Sequence, residues 1–221
     1  MSSLRSSPAR LADTAGRAAP LALFALTSLA GFFVVGVLMH ALRPELDFVR
    51  SQMSLYLIGP WGHLLQAAYC GLSLGMLALS LGLRRALVPA ARSAAPVLVF
   101  ALAGLSLTVT AFAWMDMPGV DRTLEGLIHG ISAQSAFLLA TTGLILQALR
   151  FAKDPAWHRH LRWALPWALA CFASVWVLAF WREAPRGLAQ KTVIGLILGW
   201  MAVTAWLLRA QARHCSADIR T

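Results

Sequence analysis

Residues 18–42 read AAPLALFALTSLAGFFVVGVLMHAL, twenty-five positions without an acidic or basic side chain apart from the histidine at 40. A helix crosses the hydrocarbon core of a bilayer in roughly 20 apolar residues, so this stretch is long enough to span. Five further runs have the same character: Trp61–Leu83, Ser93–Met115, Gly126–Leu149, Trp163–Trp181 and Gly187–Leu208. In the last of these Lys191 falls inside the first turn, where its stem can lie along the helix and its ammonium reach the interface. The rest of the composition agrees. Of 221 residues 59% are hydrophobic and 13% charged, and the mean hydropathy is +0.67. These values lie outside the balance of a water-soluble domain. The expectation is an all-α polytopic membrane protein, a bundle of six transmembrane helices, because lipid-exposed backbone is satisfied only in helices or closed barrels and these runs are too long for barrel strands.

The net charge of +10 raises the question of a nucleic-acid partner, and its placement answers it. If the N-terminus is cytoplasmic and the spans alternate, the inside segments carry Arg5, Arg10, Arg17, Arg84, Arg85, Arg92, Arg150, Lys153, Arg159, Arg162, Arg209, Arg213 and Arg220 against Asp13, Asp154 and Asp218. The outside segments carry Arg43, Arg50, Arg122, Arg182, Arg186 and Lys191, balanced by Glu45, Asp47, Asp116, Asp121, Glu125 and Glu183. The whole excess lies on one side, which is the positive-inside pattern with both termini cytoplasmic. The basicity reads as topology and attraction to anionic lipid, with no nucleic acid involved. The expected home is the plasma membrane of a prokaryote.

Residues 1–17 are expected to form a flexible cytoplasmic tail, residues 18–211 the membrane domain and residues 212–221 a second tail. The N-terminal segment is rich in Arg and Ser, but the apolar run after it is too long for a signal-peptide core and no small-x-small cleavage site follows. Cys70, Cys171 and Cys215 lie in two spans and a tail, so no disulfide framework is expected. Gly71-x-x-x-Gly75 and Gly195-x-x-x-Gly199 read as close helix contacts. Seven tryptophans near span ends, among them Trp157, Trp163 and Trp167, read as an aromatic belt; Trp176 and Trp200 lie deeper.

Polar chemistry gathers at one membrane depth. His40 ends the first span, Asp47, Ser51 and Ser54 lie in the long connection Arg43–Pro60, and His63 opens the second span. Asp116 ends the third span, and Asp121, Glu125 and His129 follow. The long connection, if helical, places Leu46, Val49, Met53 and Leu57 on one stripe and lies in the interface, where it can cover the mouth of the bundle. His129 sits about one turn inside the fourth span, roughly 5 Å deep, where an ionisable group is costly unless paired or facing a polar cavity. Asp116 is its expected partner, fixing the tautomer and leaving one ring nitrogen free; Glu125, one turn earlier on the same face, is the substitute. The plainer reading is that the pair ties the third span to the fourth. His40, His63, Asp116 and His129 together form a set suited to zinc or iron, drawn from separate helices and without a His-x-x-x-His spacing. Ser54 serves as a nucleophile only with a base beside it and otherwise caps a turn. Lys191 is placed to meet a lipid headgroup or a carboxylate, or to snorkel.

LRPELDFVRSQMSLYLIGPWG, AWMDMPG, LIHGISAQSAF and GLAQKTVIGLILGW, in this order, resemble the bacterial and archaeal six-span membrane family catalogued as domain of unknown function 998. The resemblance covers nearly the whole chain from the first span onward. It implies a six-helix fold, singles out Ser54, Asp116 and His129, and leads one to expect arginine where this chain has Lys191; it supplies no reaction.

Three functions fit these residues. In the first, the outward-facing polar cluster holds or helps to move a lipid, an isoprenoid or another amphipathic small molecule, its head oriented by Asp116 and His129 and its tail among residues such as Phe112, Phe137 and Leu138. In the second, the chain is an intramembrane hydrolase using Asp116 and His129, in its metal-dependent form with a metal-bound water as the nucleophile and Asp116 or Ser54 positioning it. Its Ser, Asp and His resemble in type those of the alkaline ceramidase and progestin/adiponectin-receptor superfamily, but this chain lacks that group's seventh span and its His-x-x-x-His pair. In the third, it is an accessory subunit whose cluster contacts a protein partner.

Overall fold

The computed structural model describes residues 8–217 except 118 and 182, with side chains from residue 18 to residue 213. Six helices run α1 Pro8–Leu42, α2 Gly62–Ala86, α3 Ala95–Phe112, α4 Leu124–Phe151, α5 Leu161–Phe180 and α6 Arg186–Ala217. All six are long and apolar enough to cross a membrane, and they match the six runs read from the sequence to within a few residues, except that α1 begins ten residues earlier and α6 ends nine residues later. Two boundaries differ in meaning. Helix α1 begins at Pro8 and α6 continues to Ala217, so residues 8–17 and 212–217, assigned above to tails, are helical. Both stretches carry Ala and Arg, good helix formers, and continue the long apolar helices they adjoin, so no new nucleus is needed. Residues 1–7 and 218–221 lie outside the described residues.

The helices form a closed ring in chain order: each packs on its neighbour in sequence and α6 closes the ring against α1. The closest approaches use glycine. A side chain on Gly75 would strike Ser28 of α1, one on Gly104 would meet the Ser73 backbone, and one on Gly199 would strike Trp167. Only one member of each small-residue pair is used in this way, since Gly71 and Gly195 have nothing within 4 Å of a built Cβ. Side-chain hydrogen bonds sew the ring together, as expected where lipid offers no partner. Gln66 donates to Ala111 O at 3.1 Å, Thr110 to Ser132 Oγ at 2.9 Å, and Trp200 Nε1 to Ala164 O at 2.8 Å.

The tryptophans divide into two groups. Trp61, Trp114, Trp181 and Trp206 are exposed, as belt residues are. Trp157 and Trp200 are fully buried; Trp157 stacks on Phe151 with centroids 4.7 Å apart, and Trp163 leans on Trp167 and Trp200. The belt assignment of Trp157 is therefore corrected to core. Its ring fills space between α4 and the start of α5, because Asp154 turns the chain back there by accepting from Val88 N, Ala156 N and Trp157 N.

Residues 43–61 form the lid of the opposite end. They contain one short 3-10 turn, Met53–Leu57, and no longer helix. Met53, Ser54, Tyr56 and Leu57 are buried, whereas Phe48 and Val49 are exposed. The expected single apolar stripe is thus replaced by a re-entrant turn that drops into the ring. The first turns of α6 hold it: Leu188 N donates to Val49 O at 2.9 Å, Gln190 Oε1 accepts from Met53 N at 2.8 Å, and Lys191 Nζ donates to Phe48 O at 2.8 Å and Ser51 O at 2.7 Å. Gly187 lies directly against the Ser51 carbonyl, with no room for a Cβ.

Candidate functional site

Under the lid the ring is hollow. A cavity of about 350 Å³ lies among the lid, the connection from α3 to α4, the end of α5 and the start of α6, lined by Gln52, Ser54, Asp116, His129, Gln134, Arg186 and Gln190 with Gly126, Gly130, Ala133, Phe137 and Leu178. Ser54, Asp116 and His129, singled out from sequence, thus meet at one space. Beneath it is a smaller apolar chamber of about 70 Å³, walled by Phe32, Tyr69, Leu72, Met76, Leu107, Ala136, Ala140, Ile194, Ile197 and Leu198. Ser54, Ala133, Phe137 and Gln190 wall both spaces. A third space, about 310 Å³, is a groove between α1 and α6 that shares Phe32, Ile194 and Leu198 with the chamber. One face of α4 builds the polar-to-apolar gradient: Gly126, His129, Ala133, Phe137 and Ala140 recur at three- to four-residue spacing, from the head of the helix into its middle.

The hydrogen bonds differ from those expected. Asp116 does not pair with His129. Its Oδ1 accepts from Thr123 Oγ1 at 2.6 Å and its carboxylate from Thr123 N, while Thr123 caps α4 by accepting from Gly126 N at 3.0 Å. Gly126 lies directly against the carboxylate. His129 Nδ1 instead lies 2.7 Å from Ala113 O. A carbonyl only accepts, so Nδ1 carries the proton and Nε2 is the nitrogen left for a ligand. Glu125 accepts from Trp114 N at 2.9 Å. The physical reason is that α3 stops at Phe112, leaving backbone groups of residues 113 and 114 without helical partners. His129 and Glu125 satisfy them, and the tie between the third and fourth spans is made through backbone.

The four-residue metal set is not assembled. Among the described residues no group of three or more His, Cys, Asp and Glu side chains is placed to hold a metal ion. His40 turns under the lid, its Nδ1 2.6 Å from Gly36 O and its ring between Phe48 and Tyr56, and its buried Nε2 has no partner. His63 is exposed at the start of α2. Lys191, expected to face a ligand, has its ammonium engaged by two lid carbonyls and by the Phe48 ring, 4.7 Å from the centroid. It is a clamp on the lid. Ser54 is buried, and among the described residues no hydrogen bond joins it to His129 or Asp116.

Four polar wall residues escaped the sequence reading: Gln52, Gln134, Arg186 and Gln190. Arg186 and Gln190 stand four apart at the start of α6, hence on one face, followed on that face by the chamber residues Ile194 and Ile197. A buried glutamine in the first turns of an apolar span is the same kind of signal as His129 and was available. Arg186 was counted only as part of a charge balance. Its Nη1 donates to Leu178 O at 3.2 Å, bridging α6 to α5.

No curated protein and no solved structure matches this chain. Residues 10–207, nearly its whole length, match the family described as "Protein of unknown function (DUF998)". With six apolar helices of membrane-spanning length, the chain is a multi-pass membrane protein and belongs to that family.

Proposed function

We propose that the lidded end of the bundle binds an amphipathic small molecule, a lipid or isoprenoid-like compound, and presents or helps to move it. The observation that carries this reading is the shared wall. A polar cavity that can solvate a head group lies directly on an apolar chamber, with Ser54, Ala133, Phe137 and Gln190 common to both. The chamber alone is small. An engineered protein cavity of about 150 Å³ accommodates benzene, so 70 Å³ takes only a few carbon atoms. A longer tail continues along the groove between α1 and α6, whose walls include the exposed Phe33 and Val37 and face the bilayer. Ser54 and the Nε2 of His129 are the groups suited to hydrogen-bond the head, while Asp116 holds the frame of α4. Hydrolysis using Asp116 and His129 draws no comparable support, since among the described residues no metal-holding group forms and no base is bonded to Ser54.

In this reading the lid faces away from the cytoplasm and both termini lie in the cytoplasm of a prokaryotic cell, because the basic excess gathers at the opposite end. Reporter fusions at the C-terminus and in the lid test the orientation.

The binding test is lipid extraction. Protein purified in mild detergent is expected to retain one lipid class above its proportion in the membrane, and Ala133→Phe, which fills the junction of cavity and chamber, is expected to lose it. His129→Ala is expected to weaken retention. Identical lipid content in wild type and both variants contradicts the reading, and a stoichiometric protein in the same preparation favours an accessory-subunit role.

A further inference from the structure

The charges around the polar cavity are not equivalent, and the difference names the kind of head it takes. Asp116 spends its charge on Thr123 and on the start of α4, where a carboxylate complements the positive end of the helix. Glu125 is held by Trp114 N, and Lys191 is held by lid carbonyls. Among the described residues Arg186 is the only Lys or Arg lining the cavity, and its one hydrogen bond is to a backbone carbonyl. A guanidinium has five donors in a fixed fork, so most of its donors are left over. The remaining polar walls are the amides Gln52, Gln134 and Gln190, the Ser54 hydroxyl and the imidazole of His129.

We infer that Arg186 receives an anionic group on the bound molecule, a phosphate or carboxylate, with His129 Nε2 accepting from a hydroxyl of the same head. This rests on the binding role proposed above and gives it a substrate class. Arg suits the task because its fork matches the paired oxygens of both anions, and the half-buried setting screens the contact less than open water does. Arg122 lines the adjoining exposed groove, beyond Asp116, and adds to the positive field without entering the cavity. The groups facing Arg186 thus include one committed carboxylate and one imidazole, and a ligand anion completes the balance.

The test uses the full chain in nanodiscs containing phosphatidylglycerol and phosphatidylcholine of matched acyl chains, with retained lipid counted by native mass spectrometry. Wild type is expected to enrich the anionic lipid by roughly five- to tenfold. Arg186→Gln is expected to abolish the preference while total retention persists, and Arg186→Lys to keep part of it. Arg122→Gln is the control, expected to change the ratio little. A second arm adds inorganic phosphate to lipid-stripped protein: saturable binding lost in Arg186→Gln identifies a soluble anion as a source of the same chemistry, and its absence assigns the site to a lipid head. Retention without preference in wild type, or an unchanged preference in Arg186→Gln, overturns the anionic assignment and leaves the binding role standing. No retained lipid and no phosphate binding overturns both.

Discussion

The two ends of this helical ring each place an aspartate where the chain turns between helices, and they use it differently. At the basic end Asp154 is buried and its two oxygens accept from three backbone N–H groups, and the buried rings of Trp157 and Trp200 both stack on Phe151. At the lidded end Asp116 accepts from one threonine and faces a cavity of about 350 Å³. One end is filled and its aspartate is spent on backbone; the other is hollow and keeps Ser54, His129 Nε2, Gln134 and Arg186 along its walls. A bundle gains stability from the first arrangement and a binding site from the second.

Substitutions break this contrast in graded order. Asp154→Ala strands buried backbone donors and is expected to cost about 3 kcal/mol, read as a lower melting temperature in detergent, with lipid retention per folded molecule unchanged. Lys191→Ala removes two charge-assisted bonds to the lid and is expected to cost about 2 kcal/mol, with faster amide exchange confined to residues 48–57. An unchanged exchange pattern there contradicts the clamp. Thr123→Ala removes the cap of α4 and is expected to cost about 1 kcal/mol, with a small loss of retention because His129 rides on that helix. The smallest effect is acid sensitivity of the lid. The hydrogen bond from Arg43 holds the exposed Glu45 carboxyl below its ordinary value. Its contribution is present above that ordinary range and is lost as pH falls through the lower folded value, which exchange rates in the lid report.

The spans were legible because a bilayer imposes a length and excludes charge, and both properties are written directly in runs such as residues 18–42. The order of the helices around the ring was not, since lipid-facing and core-facing positions are almost equally apolar; Phe33 and Phe32 are neighbours in sequence, one exposed and one buried. The meeting of Ser54, Asp116 and His129 at one depth was readable from their distances to span ends. Their partners were not. Hydrogen bonding here is decided by where α3 stops, and the orphan groups of residues 113 and 114 outcompete the side-chain pair that spacing suggested. Lys191 was misread for a related reason: its partners are carbonyls of residues 140 or more positions away, which carry no sequence signature.

The central claim is that cavity and chamber form one site for one amphipathic molecule. An experimental density map of the protein taken from its native membrane tests it most directly. The expected result is elongated density with its broad end among Ser54, His129 and Arg186 and its narrow end between Phe137 and Ile194. Well-ordered walls enclosing only discrete water peaks above and an empty chamber below would contradict it.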